Sequence, residues 1–415
     1  MIAMADADGA VALAFHRFGP YHRARLEAVR ARLARVQSLE FSSVDETYAW
    51  ERVRIEEGMH FSVFADADVD RKSSREVVQR VSQALDRLRP AVLAIPGWSH
   101  PAALSGLAWS LRNSRVAVLM SESTAGDEPR RRWREWIKRR VVRLFAAALV
   151  GGAPQAAYVR ALGMPKEAIF PGYDAVDNAY FANRAAMTRA QAERVRGELD
   201  LPPAFFLASS RFVPRKNLSR LVEAFARYRA RAGPQGWGLV LLGSGMLASR
   251  IEAQVRELDL AGAVRLPGFI QYEAVSRYYG LAGAFVHAST SEQWGLVVNE
   301  AMASGLPVLV SERCGCAPDL VEDGINGFTF DPYDVEELAG LMQRVAAMTD
   351  EQRHALGRSS QRIIAAWGPE RFADGLMKAV EVAQSRPVPT ATWFDRQLLT
   401  ALLHRPGRRK DLALT

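Results

Sequence analysis

One stretch constrains this chain more than any other: Ser291-Glu292-Gln293-Trp294-Gly295-Leu296-Val297-Val298-Asn299-Glu300-Ala301-Met302-Ala303-Ser304-Gly305-Leu306-Pro307-Val308. It lies between two short apolar runs, residues 284–288 and 308–310, that read as buried strands. Between them the spacing predicts a helix that opens near Gly295, buries Leu296, Val297, Ala301 and Met302, and stops at Gly305 with Pro307 just beyond. Glu292 is thus expected in a loop above a strand end, and Glu300 inside the helix that follows.

Two carboxylates split in this way suit a ligand that is long and anionic in the middle. The unpaired amides at Gly295, Leu296 and Val297 are suited to a diphosphate, because the positive end of the helix dipole points there. Glu292 and Glu300 would reach hydroxyl groups on either side. A nucleotide sugar has that layout. A second loop, Ser209-Ser210-Arg211-Phe212-Val213-Pro214-Arg215-Lys216-Asn217, follows an apolar run at 204–208 and precedes a helix expected from Leu218, so Arg211 and Lys216 offer an electropositive place for phosphate. After a third strand at 239–242 comes Gly243-Ser244-Gly245, where missing side chains permit close backbone approach to a nucleotide.

Glu292 and Glu300, with Gly295 between them and Ala301 to Val308 following, resemble the Glu-x7-Glu signature of retaining glycosyltransferases of family 4, the glycosyl transferases group 1. The resemblance implies an α/β chain of the GT-B class: two Rossmann-like, doubly wound domains facing across a cleft, with the donor in the second and the acceptor in the first. By resemblance, Glu292 positions the sugar, Arg211 and Lys216 hold the donor diphosphate and stabilise it as it departs, and Glu300 binds the ribose. The segment Pro267-Gly268-Phe269-Ile270 matches the part of the family whose backbone meets the base, which makes Ile270 a base contact. The implied activity moves a hexose-type sugar with retention to a hydroxyl acceptor, a lipid-linked saccharide in surface-polysaccharide assembly. No metal or other cofactor is expected. A GT-B nucleotide-sugar epimerase and a non-catalytic nucleotide-sugar-binding protein are the alternatives.

The first half alternates strand and helix patterns, with strands expected at 11–15, 61–64, 91–95 and 116–120. After the first strand, Leu26, Val29, Leu33 and Val36 recur at helical spacing. Ligands on such sheets gather at carboxyl strand ends, which puts the 16–22 loop, Pro96-Gly97-Trp98 and Ser121-Glu122-Ser123 on the site side. Gly19 and Glu122 are the acceptor-side candidates. The family often carries two adjacent glycines and a histidine with a following acid there, and this chain departs from it at both places. Asp66-Ala67-Asp68 resembles the metal site of the single-domain GT-A class, but nothing downstream fits such a domain.

From Arg130 to Arg143 two tryptophans are set among eight basic residues. On a helix, Trp133, Trp136, Ile137 and Val141 share a face, which suits either an interfacial helix on anionic lipid or a domain helix with an aromatic core stripe. No nucleic-acid-binding module accompanies the charge. Residues 150–185 hold the passage between domains, with a helix rich in Arg and Glu expected at 187–199.

The domains are expected at 1–185 and 186–371, with 372–415 forming a helix that returns to the first domain plus a basic tail from Arg405 to Lys410. A chain of 415 residues is too long for one core. The start lacks the order of a signal peptide, no apolar run spans a bilayer, and Cys314 and Cys316 are too close to staple much. Together these predict a cytoplasmic protein, or one peripheral on the inner face of the cytoplasmic membrane.

Overall fold

In the computed structural model, which describes residues 10–44, 53 and 60–404, the strands form two sheets. The chain divides into two units, Met1–Ala175 with Pro369–Arg409, and Val176–Gly368. The division falls at Ala175 and not near residue 185. The helix Asn178–Arg189 packs with the helix Tyr272–Leu281 of the second unit, where the Phe181 ring meets those of Tyr272 and Tyr279.

The first unit contains β1 (Val11–Phe15), β2 (Val36–Ser42), β3 (His60–Phe64), β4 (Val92–Pro96), β5 (Val116–Ser121), β6 (Ala147–Val150) and β7 (Ile169–Pro171). They lie in the order β3-β2-β1-β4-β5-β6-β7, parallel throughout. Short continuous apolar runs such as Ala147 to Val150 are buried at every position, as a parallel sheet covered on both faces requires. The helix Pro369–Ser385 packs on the helix Pro20–Arg30 and on β5, β6 and β7, adding Phe372, Leu376 and Val380 to this unit's core.

Of the first unit's strands three were not foreseen, and one helix was drawn too long. The helix after β1 ends at Arg30, and Val36 opens β2. That strand carries Glu40, which is buried because it accepts from the Phe18 amide at 3.0 Å and from the Ser62 hydroxyl. His60 lies beside it at 3.2 Å. A charged residue inside a central strand breaks the apolar pattern by which strands are read. Strands β6 and β7 hold four and three residues, too few to show a period. The helix expected at 187–199 is two, Asn178–Arg189 and Ala192–Glu198.

The second unit contains β8 (Phe205–Ser209), β9 (Gly238–Leu242), β10 (Val264–Gly268), β11 (Ala284–His287), β12 (Val308–Ser311) and β13 (Gly327–Phe330). Their order is β10-β9-β8-β11-β12-β13, again all parallel. Phe206, Ala208, Leu239, Leu241 and Val286 pack with Leu221, Phe225, Ile251 and Met342 in one cluster. The alternating partners Phe205, Leu207, Val240 and Phe285 are equally buried, so both faces of the sheet are covered. Strand order reverses between β8 and β11, and the crevice above such a switch point is where doubly wound sheets bind ligands.

Candidate active site

The loops after β8 and β11 meet at that switch point. The first carries Lys216 at the end of a short 3-10 turn, Pro214–Lys216, followed by Asn217 in the left-handed region at φ 58°. The buried Asn217 amide donates to the Ala288 carbonyl at 3.1 Å and to the Pro332 carbonyl at 2.7 Å. The Thr290 amide donates to the Arg215 carbonyl at 2.8 Å. These bonds fix the Lys216 loop to the end of β11.

Lys216 Nζ donates to Glu292 Oε2 in an ion pair whose side chains are each 11% exposed. His287 Nε2 lies 3.3 Å from the same oxygen, and the Ser289 hydroxyl 3.4 Å from it. Three polar groups therefore converge on Oε2. Burial by itself raises the Glu292 pKa, but the Lys216 charge and the bond to His287 outweigh it and hold the carboxyl well below its usual range. His287 is 2% exposed. Burial and the Lys216 charge lower its pKa against the pull of Glu292, so it is neutral at pH 7.

The loop after β12 supports Glu292 from behind. The Gly315 amide donates to the Glu292 carbonyl at 2.9 Å, and the Cys316 amide to the Trp294 carbonyl at 3.2 Å. Cys314 and Cys316 are buried and joined in no disulfide among the described residues, and burial together with the Glu292 charge pushes the Cys314 thiol up. They are packing residues, inert as nucleophiles.

Gly295 caps the helix Leu296–Ala303 at φ 104°, a conformation that favours glycine. The helix buries Val298, Asn299, Glu300, Ala301 and Met302, whereas Leu296 and Val297 are half-buried. The buried stripe thus begins two positions later than expected, at Val298, with Asn299 facing inward and accepting from the Trp294 indole at 2.9 Å. Glu300 is buried, and the Tyr279 hydroxyl donates to its Oε2 at 2.7 Å.

Gly243 and Gly245 adopt φ 128° and 151°. A Cβ on Gly243 would lie 1.8 Å from the Ser210 carbonyl oxygen, and one on Gly245 2.7 Å from that of Phe212. The neighbouring loop, which holds Arg211, already demands both glycines. The Gly243 amide also donates to the Gly268 carbonyl at 2.8 Å, so the loops after β8, β9 and β10 are knitted together, with Ile270 half-buried just beyond.

Glu122 and Gly19 belong to the first unit, beyond the carboxyl ends of β5 and β1. The Gly19 amide donates to His22 Nδ1 at 3.0 Å and caps the helix Pro20–Arg30, so that amide has a partner. Asp68 caps a 3-10 turn by accepting from the Asp70 amide at 2.9 Å. Nearby, His100 Nε2 lies 2.9 Å from Asp70 Oδ1, and the His16 ring stands edge-on to His100 at 4.7 Å. His100 Nδ1 accepts the Ala102 amide at 3.1 Å, which leaves the proton on Nε2 and makes that nitrogen a donor to Asp70, not a metal ligand.

Sequence reasoning missed His287, Ser289, Tyr279 and Asn217 as parts of the site. Only His287 left a signal, a histidine at the end of an otherwise apolar strand.

Two all-parallel, doubly wound units define the GT-B class. A UDP complex of HepE from Anabaena aligns with a TM-score of 0.67 at 19% identity, covering 91% of this chain and 99% of that one. Sucrose-phosphate synthase from Thermosynechococcus elongatus aligns at 0.70 and 21%, with the same coverage. Residues 190–362 match the model of the family described as "Glycosyl transferases group 1", so the expected resemblance holds over the second unit. Among curated relatives, the amylovoran biosynthesis glycosyltransferase AmsK of Erwinia amylovora is 29% identical over 150 residues, 35% of this chain and 36% of its own length. The alpha-monoglucosyldiacylglycerol synthase of Streptococcus pneumoniae is 29% identical over 160 residues, 38% of this chain and 35% of its own length. The chain thus spans about a third of the length of these curated relatives.

Proposed function

We propose that this protein is a retaining glycosyltransferase that moves a hexose-type sugar from a nucleoside-diphosphate sugar to a hydroxyl of a lipid-linked saccharide in surface-polysaccharide assembly. The observation that carries the reading is the cluster of Lys216, His287 and Ser289 on one oxygen of an ionised Glu292 at the switch point of the second sheet. Such a carboxylate is held rigidly and offers its second oxygen to a sugar hydroxyl. Lys216 is placed to share its remaining donors with a diphosphate, and Arg211 lies on the same loop.

In the transfer, the bond from the sugar's anomeric carbon to the diphosphate breaks and a bond to the acceptor oxygen forms on the same face. The acceptor proton passes to the departing phosphate oxygen, and Arg211 and Lys216 offset the charge that builds there. No covalent enzyme intermediate is needed. Glu300 takes the ribose, the amides of Gly295, Leu296 and Val297 the diphosphate, Gly243 and Gly245 the nucleotide's flank, and Ile270 the base. Glu122 and the Gly19 loop serve the acceptor. No metal or cofactor takes part in this scheme.

The lipid-linked acceptor is supported by the basic, tryptophan-bearing segment from Arg130 to Arg143 and by relatives that include a lipid glycosyltransferase and a polysaccharide-assembly enzyme. It places the protein on the cytoplasmic face of the membrane. Among the described residues no helix is long and apolar enough to cross one. The basic tail from Arg405 lies outside the described residues.

A thermal-shift panel of UDP-, GDP- and ADP-sugars identifies the donor, since ligand raises stability by mass action. UDP-glucose is the first to try, because the Anabaena neighbour was crystallised with it. Glu292→Gln keeps the size and removes the charge; turnover should fall by about 10² or more with donor affinity little changed. Near-normal transfer in that variant sinks the mechanism. Product with inverted configuration removes retention, and an epimerised nucleotide sugar makes the protein an epimerase.

A further inference from the structure

The helix Arg132–Val142 does not bury its tryptophans. Trp133 is 50% exposed and Trp136 48%, while Val141 and Val142 enter the core. A second element stands beside it. The helix Trp393–Leu403 buries Leu399 and Leu403 but leaves Trp393 75% and Phe394 43% exposed at its start. The two helices are tied: Arg140 Nε donates to Asp395 Oδ1 at 2.8 Å and its Nη2 to the Thr392 hydroxyl at 3.2 Å. The Trp136 and Phe394 rings meet with centroids 5.6 Å apart, and the Arg140 guanidinium lies 5.4 Å over the Phe394 ring. Trp136 and Phe394 therefore meet across the two helices, with exposed Trp133 one turn before Trp136 on its helix and exposed Trp393 next to Phe394 at the start of the other.

The charge around them is predominantly basic, with the acids Glu128, Glu135 and Asp395 each taken up in ion pairs. Arg130 and Lys138 pair with Glu135, and Arg134 with Glu128. Arg131, Arg132 and Arg139 are exposed and pair with no acid among the described residues, and exposed Arg396 follows Trp393 by one turn.

We propose that this composite surface, built jointly by the helices Arg132–Val142 and Trp393–Leu403, docks the protein on an anionic lipid bilayer. Leaving four such rings in water is costly, and a bilayer's interface accepts them while its headgroup phosphates take the arginines. The ring planes of Trp136 and Phe394 stand at 68° to each other, so the pair is not the flat platform on which successive bases of a single-stranded nucleic acid stack. The proposal rests on the glycosyltransferase reading only for its purpose, since docking is measured with neither substrate present.

The test is co-sedimentation of the full chain with vesicles of phosphatidylcholine alone or mixed with phosphatidylglycerol. Binding is expected to the anionic vesicles only, weakening as salt rises. Trp393→Ser with Phe394→Ser should weaken it by about tenfold or more, as should joint charge reversal at Arg131, Arg132 and Arg139. Both variants should keep the wild-type thermal shift with the donor nucleotide. Independently of any effect on folding, Trp393→Phe should reduce quenching of the protein's fluorescence by brominated acyl chains. Three results overturn the proposal: no binding to anionic vesicles at low salt, binding by the aromatic variant equal to wild type, or release from vesicles by a mixed-sequence oligonucleotide that binds more tightly. Failure of transfer with intact docking counts against the function alone, and the reverse against this surface alone.

Discussion

Glu292 is held by three neighbours, and each contributes differently. Lys216 supplies charge, whereas His287 is neutral and orients the carboxylate. Its folded pKa lies below the ordinary 6.5, so protonation favours the unfolded chain. The stability it contributes is present above that value and is lost as pH falls below it. Glu292 carries the same sign starting lower, from the ordinary 4.5 downward. Chemical denaturation across pH should therefore show an acid limb beginning below about 6.5, and His287→Gln should flatten its upper part; an unchanged limb in that variant assigns the slope elsewhere. Tyr279 does for Glu300 what His287 does for Glu292. Tyr279→Phe removes the 2.7 Å bond, and because hydrogen bonds to charged groups are worth about 1.5–3 kcal/mol, the donor KM should rise on the order of tenfold with kcat nearly unchanged. A kcat loss without a KM change would mean that Glu300 acts on the reacting bond instead.

At the scale of elements, the site is a set of loops locked together before any ligand arrives. Gly243 shows how tightly. An alanine there needs a positive φ and puts its Cβ 1.8 Å from the Ser210 carbonyl oxygen. Gly243→Ala should cost about 3 kcal/mol of unfolding free energy and displace the Arg211 loop, with donor affinity falling alongside; wild-type stability by denaturant titration would show that the loops move apart freely. The elements that were hard to foresee share a cause. Strand β2 is interior but carries Glu40, whose desolvation is offset by bonds to Phe18, Ser62 and His60 from other parts of the chain. The helix that opens the site buries Val298 and Asn299, with Trp294 donating to Asn299 at 2.9 Å. A polar side chain facing inward with its own partner shifts the buried stripe away from Leu296 and Val297.

For the molecule as a whole, the charge balance at the site carries a consequence for catalysis. In the proposed scheme Arg211, Lys216 and the amides from Gly295 onward supply the positive field for the diphosphate, so transfer should survive thorough chelation of divalent ions. Loss of activity with EDTA that Mg²⁺ or Mn²⁺ restores would require a metal-bridged donor. Inactivity of Asp66→Ala and Asp68→Ala would move the donor site to the first unit.

The order of strand and helix patterns, the split pair Glu292 and Glu300, and the basic loop from Arg211 to Lys216 were legible because each depends on residues close together in sequence: apolar period, helix stop signals, and charge next to a strand end. That information is local, and the chain carries it without folding. The convergence of Lys216, His287 and Ser289 on one oxygen, the bond from Tyr279 to Glu300, and the meeting of Trp136 with Phe394 depend on strand order and helix packing. Nothing in a local pattern states which strands are neighbours, so these contacts were decided only when β8 and β11 paired and when the helix Trp393–Leu403 came to lie beside Arg132–Val142.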